Sequence, residues 1–400
     1  MSKLTVLFIV MIMLNSDVFG QLKLSRSDMF ILDFKSLAVK KQKVLAKESA
    51  YLPAYNNLIN TANALLQYQP ISVMQKKDLP PSGDKHDYMS LAPYWWPNTT
   101  TKDGLPYIRK DGEVNPEVKN YPDKEHMPVL CENINTLALA YYFSNEEKFA
   151  SHASKLLRAW FLDSATKMNP NLNFGQAVKG ITSGRAEGLI DTRQFIYALD
   201  AVALIKTSKN WTKNDQALLQ QWMLEFLNWI NSSKIGINEL NTLNNHGVWL
   251  DAQVLSMAIY IDSTEMARKI VQRSLDRLDK QMNNEGLFPL ELARTTSLHY
   301  SVFILNAFNV IAQLSERIGM DYWNKKTNSG KTLRLAYDGI IPYVSGKKPW
   351  AYQEIKPFTM KDSYPILISA FSKYGCKDCK NIIQQQQSNQ TYETLLLNLF

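Results

Sequence analysis

From about residue 130 the chain alternates two kinds of helical pattern, and this alternation limits the possible folds more than any single motif does. One kind is apolar nearly all round: Asp191 to Lys206, carrying Phe195, Ile196, Leu199, Val202 and Leu204, then Asn245 to Ile261, then His299 to Leu314. A helix without a polar face has to be buried. The other kind bears one apolar stripe. Met266, Ala267, Ile270, Val271, Leu275, Leu278 and Met282 recur at helical spacing with Arg268, Lys269, Arg273 and Arg277 between them, which places that helix on the outside. Similar stripes run through Phe149, Ala153, Leu156, Leu157 and Trp160, and through Leu218, Leu219, Trp222, Met223, Phe226 and Ile230. N-caps are expected at Asn145, Thr212 and Ser263 or Thr264.

The inner helices are expected to begin near Glu132, Asp191, Asn245 and His299, at intervals of 59, 54 and 54 residues. This is a degenerate helical-hairpin repeat. An inner ring of buried helices inside an outer ring of amphipathic ones describes an all-α fold, an α/α toroid in the form of an incomplete barrel of hairpins. Strand signals are weak and scattered. If successive inner helices run the same way, their N-termini meet at one mouth, where free N–H groups and helix dipoles favour an anion. A helical solenoid would instead spread the same residues along a face.

Residues 77–128 interrupt the pattern with eight of the 16 prolines and the aromatic run Tyr94, Trp95, Trp96. A loop of that length is uncommon in a compact domain unless it has a function. It is expected to be an ordered flap, with Trp95 or Trp96 offering a face to a sugar ring and Arg109 or Lys110 a charge to a carboxylate. Packing pegs on an irregular loop are the competing explanation.

Residues 1–20 show a leader pattern: Lys3, an apolar run from Leu4 to Leu14, then Val18-Phe19-Gly20. The run is too short to span a bilayer, so the expectation is a signal peptide followed by one domain over 21–400, exported to the periplasm or the medium. No membrane span is expected. The formal charge of +8, with nine Trp and 19 Tyr, suits a polyanionic sugar chain drawn into a cleft, although a merely basic surface would read the same. No Lys/Arg block suggests nucleic acid. Cys376 and Cys379 form a lone C-x-x-C, read as a short-loop disulfide rather than half of a zinc site. The five His residues include no metal-binding cluster, and neither metal nor cofactor is expected.

Two segments carry chemistry. Asn244-Asn245-His246-Gly247-Val248-Trp249 and Arg294-Thr295-Thr296-Ser297-Leu298-His299-Tyr300 each stand at the start of an inner helix. An amide, an imidazole and a guanidinium can hold a carboxylate and take up its growing charge, while a phenol beside them moves protons. Together with His86-Asp87-Tyr88-Met89-Ser90-Leu91-Ala92-Pro93-Tyr94-Trp95-Trp96-Pro97, these segments resemble the alginate lyase superfamily over about residues 80–310. The Ser-Leu-Ala-Pro-Tyr-Trp-Trp-Pro stretch is similar to polysaccharide lyase family 38.

The resemblance implies an α/α toroid, metal-free β-elimination of a uronic-acid polymer (alginate first, glucuronan second) and a catalytic set at Asn245, His246, Arg294 and Tyr300. Arg193 is the alternative if the arginine register differs. Cations at Arg294 and His246 are expected to lower the pKa of Tyr300. Further substrate contacts are expected from Tyr88, Trp95, Trp96, Arg109, Arg193, Gln194, Trp249 and His299, with Asp87 and Arg185 behind them. Each also has a structural explanation: Asn245 as N-cap, Arg294 as partner of Glu291. The rivals are a glycoside hydrolase using two of Glu132, Asp191, Asp251 and Glu291, and a glycan-binding protein without turnover.

Overall fold

The computed structural model describes residues 31–386; the expected leader lies outside them. Among the described residues are fourteen α-helices and four short strands. Four helices form the inner layer: α3 (Asp123–Ser144), α5 (Phe195–Ile205), α8 (Asn245–Tyr260) and α11 (Ser297–Arg317). They pack in chain order, α3 on α5, α5 on α8 and α8 on α11. Their side chains are buried on nearly every face, as an all-round apolar pattern requires. The outer layer includes α2 (Leu52–Leu65), α4 (Glu147–Leu157), α6 (Lys213–Ser232), α9 (Thr264–Gln281) and α12 (Leu333–Val344). In α9 the buried residues are Ala267, Ile270, Val271, Leu275 and Leu278 together with Ser274 and Arg277. The chain is an α/α toroid. No helix among the described residues is long and apolar enough to cross a membrane.

Local chemistry moves several boundaries. Helix α3 begins at Asp123, nine residues before Glu132, because Pro128 is accommodated inside it; a proline near a helix start removes few internal hydrogen bonds. The stretch before α5 is a 3-10 helix, Ala186–Gln194, so Asp191 precedes the α-helix. Asn145 is the left-handed C-cap of α3 (φ 59°) rather than the N-cap of α4, a conformation asparagine tolerates. Thr212 does cap α6, in a reciprocal capping box with Asp215. Ser263 sits at the N-cap of α9 without a side-chain hydrogen bond.

The flap is ordered. Strand β1 (Met89–Leu91) pairs in parallel with β4 (Phe174–Ala177), and β2 (Trp95–Trp96) pairs antiparallel with β3 (Ile108–Arg109). Its base is pinned at Asp191, which accepts from Tyr88 Oη (3.0 Å), Ser90 Oγ (2.9 Å) and Gln176 Nε2 (3.0 Å) and pairs with Lys124 (3.1 Å). Cys376 and Cys379 are joined by a disulfide at the start of α14 (Lys377–Gln386).

The start of α8 is held from outside the inner ring. Asp251, fully buried, pairs with Arg273 and Arg277 of α9, and Arg277 continues to the carbonyls of Leu240 and Thr242. The guanidinium passes so near the backbone that a Cβ on Gly247 would stand 2.2 Å from Thr242 O and 2.6 Å from Arg277 Nη1. Gly247→Ala is therefore expected to destabilise the protein by about 2–4 kcal/mol through overpacking and loss of this bridge, read by urea denaturation. A loss below about 0.5 kcal/mol would show that the close approach can relax freely.

Candidate active site

Helix α8 delivers two polar side chains side by side. Asn244, not Asn245, is the N-cap: its Oδ1 accepts from the His246 backbone N–H at 2.9 Å. Asn245 is thereby freed from capping, and both its backbone N–H (2.7 Å) and its Nδ2 (2.9 Å) donate to Glu291. Its Oδ1 is buried without a hydrogen-bond partner among the described residues. His246 Nδ1 lies 2.8 Å from Oε1 of Glu239, which comes from the short helix α7 (Lys234–Leu240) and is 0% exposed. Nε2 is the ring nitrogen left for the cavity. Burial pushes the Glu291 carboxyl above its ordinary range, more than the hydrogen bonds from Asn245 and the nearby charges of Arg294 and His246 pull it down.

Helix α11 delivers the phenol. Tyr300 is 8% exposed, and its hydroxyl lies 3.0 Å from that of Tyr94 on the flap. The Arg294 guanidinium sits 3.6 Å from the Tyr300 ring centroid, a cation–π distance. Burial, followed by the neighbouring Tyr94, pushes the Tyr300 pKa up; Arg294 opposes this and loses. The expected lowering by cations is thus reversed in the free protein, because desolvation of a phenolate outweighs one adjacent charge.

Arg294 does not pair with Glu291. Its fork grips Asp111 of the flap, Nε to Oδ2 at 3.0 Å and Nη2 to Oδ1 at 2.7 Å, while Thr295 adds its N–H and hydroxyl to the same carboxylate. Burial pushes Asp111 up, but the Arg294 and Thr295 hydrogen bonds and Arg109 outweigh it and hold the carboxyl at about 2. A depressed carboxyl contributes stability above its ordinary pKa. This clamp is accordingly complete above about pH 4 and is lost as pH falls through about 2.

These groups share one cavity of about 1140 Å³ on the axis of the inner helices. Asn245, His246, Arg294 and Tyr300 all line it, as do Trp95, Arg109, Arg193, Gln194, Trp249, His299 and Arg185. Tyr88 and Trp96 do not. Tyr88 is 0% exposed and spent on Asp191, and Trp96 turns to the Glu113 carbonyl and Lys110. Asp87 serves the loop, accepting from Ser82, Asn169 and Asn171. Arg193 lies over Phe303 (5.5 Å) and donates to the Ile190 carbonyl. Among the described residues no carboxylate stands within ion-pair distance of it, and burial lowers its pKa. It is a desolvated cation facing a cavity, a ready receptor for an anion.

Sequence reasoning passed over Tyr94, Glu239 and Asp111. Tyr94 lay within a quoted motif, so its position beside two tryptophans was a usable signal; the two acids carried none. Of the carboxylates proposed for a hydrolase, Glu132 and Asp191 line the cavity. Asp251 and Glu291 are buried outside the cavity lining, and Asp191 is saturated by four donors. Among the described residues, no group of three or more His, Cys, Asp or Glu could hold a metal.

A family model described as Alginate lyase matches residues 72–350. No curated protein matches in sequence. The crystal structure of an alginate lyase from Bacteroides ovatus aligns with 93% of this chain and 99% of its own, at 35% identity and a TM-score of 0.87. Alginate lyase A1-III from Sphingomonas species A1 aligns over 80% and 88% of the two chains at 15% identity and TM-score 0.51. A variant of A1-III complexed with a tetrasaccharide aligns over 82% and 90%, at 14% and 0.53. At such low identity the last two show a shared fold.

The Asp111 clamp has a direct test. In Asp111→Ala, trypsin is expected to cut after Lys102, Arg109 or Lys110 about tenfold faster than in the unmodified protein at pH 7, because the flap loses its anchor to α11. An unchanged cleavage rate would show that other contacts hold the flap.

Proposed function

This chain belongs to the alginate lyase family and is a polysaccharide lyase, and we propose that its substrate is alginate, with glucuronan the second polymer to test, cut by β-elimination within the cavity described. One observation carries this reading. An imidazole and a phenol from two successive inner helices face one cavity whose walls also hold Arg185, Arg193 and Arg294. A C5 proton beside a carboxylate is hard to remove, since the carbanion spreads its charge onto a group already negative. Donors set in place before the reaction lower that barrier, on the order of 3 kcal/mol for each well-placed one.

The geometry supports the following roles. Asn245 and His246 present an amide and a ring nitrogen to the substrate carboxylate, and Arg193, which no carboxylate among the described residues pairs, supplies a cation. Arg294 is occupied by Asp111 in this state, so its action on substrate runs through the Tyr300 ring it covers. A base takes the C5 proton, the C5–H electron pair forms the C4–C5 double bond, and the C4–O4 bond breaks. O4 then receives a proton. The raised pKa of Tyr300 suits it to giving that proton.

At guluronate, neutral His246 is the natural base on the opposite face from Tyr300. At mannuronate or glucuronate the elimination is syn, and the phenol has to serve both steps. Arg294 against the ring is then the group that eases its ionisation. Residues 1–20, with their leader pattern, support export as the setting in which such a polymer is met.

A panel of polymannuronate, polyguluronate, mixed alginate and glucuronan, followed by ultraviolet absorbance, tests the reading. A new absorbing chromophore is expected from the conjugated 4,5-unsaturated end, whereas water addition by a hydrolase makes none. Tyr300→Phe is expected to cut kcat by about a hundredfold or more while oligosaccharide binding stays within about threefold, because a single hydroxyl is removed from a packed ring. Full turnover by this variant would remove Tyr300 from the chemistry.

A further inference from the structure

We propose that Glu239 is a positioning residue that fixes the tautomer of His246, keeping the proton on Nδ1 so that Nε2 meets the substrate as a bare acceptor or as part of a full imidazolium. The inference rests on the lyase reading for its consequence, though not for its first test. Glu239 is 0% exposed and its Oε1 lies 2.8 Å from Nδ1. Its other oxygen accepts a long contact from the Thr242 hydroxyl, 3.4 Å. A carboxylate accepts and cannot donate, so the nitrogen it touches must carry the hydrogen. Whichever ring nitrogen is held by such a partner sets what the other can do.

The consequence reaches the reaction. With the proton on Nδ1, neutral His246 can take a proton at Nε2 and cannot donate there. It is then a base at guluronate, and it helps to quench a carboxylate only after gaining a second proton. The opposite tautomer would do the reverse and block the base role. The supports of Glu239 lie away from the cavity: α7 is capped by Ser233 at Gly236 N, and the carbonyls of Leu240 and Thr242 that follow it are held by Arg277. Neither Glu239 nor Thr242 lines the cavity. Glu239 therefore acts through His246.

Nitrogen-15 NMR of the free protein reads the tautomer directly, with the His246 signals assigned by their loss in His246→Gln. Neutral His246 is expected to carry its hydrogen on Nδ1; a hydrogen on Nε2 overturns the proposal whatever the enzyme cleaves. Glu239→Gln keeps the shape and offers an amide that can donate. It is expected to move the hydrogen toward Nε2 and to lower kcat between about ten- and a thousandfold, with KM within about threefold and the thermal midpoint little changed. Unchanged kcat overturns the proposal. So does a rise in KM alone, which would mark a contact to substrate instead. Absence of any lyase activity in the unmodified protein would count against the functional reading and leave the NMR result to decide the tautomer.

Discussion

A carboxylate taken out of water must be met by donors, and that requirement organises the wall of the cavity. Glu239 is met by His246, Glu291 by Asn245, Asp111 by Arg294 and Thr295, Asp191 by Tyr88, Ser90, Gln176 and Lys124, and Asp251 by Arg273 and Arg277. In four of these five groupings at least one donor is a side chain that lines the cavity, Gln176 and Lys124 doing so for Asp191. Satisfying the acid and aiming the functional group are the same contact. The fold places Asn245, His246 and Arg294 at the mouth by giving each a carboxylate to hold.

This scheme divides labour between the two successive helix starts. The α8 side is rigid and internal, braced by Asp251 and Arg277 behind Gly247. The α11 side is shared with the flap: Tyr300 touches Tyr94, and Arg294 touches Asp111. The phenol is thus the group whose surroundings depend on the flap, while the amide and imidazole are set before the flap is considered. Arg193 stands apart from both, without an ion-pair partner among the described residues, and burial makes its charge costly until an anion arrives.

Much of this was legible in the sequence, for an identifiable reason. The alternation of all-round and one-sided apolar helices is written in neighbouring residues, so α8, α9 and α11 were placed nearly where they stand, and Thr212, expected as an N-cap, caps α6. Errors fell where local signals compete. The first inner helix was expected near Glu132, yet α3 begins at Asp123 and runs through Pro128; Asn145 looked like a cap for the following helix, yet it closes the preceding one. Tyr88 and Trp96 shared the composition of a sugar platform, and only packing showed that one is buried and the other turned outward.

The sequence by itself determined the inner and outer rings, the flap as an insertion, and the two segments that carry the polar chemistry, because helical periodicity and turn residues act over a few positions. The tertiary structure decided partnership: Asp111 for Arg294 across 183 residues, Tyr94 for Tyr300 across 206, Glu291 for Asn245 across 46. It also decided the direction of the Tyr300 pKa. Burial and long-range contact are properties of the closed ring, and a carboxylate in a sequence carries no mark of the donor that will meet it once water has been excluded.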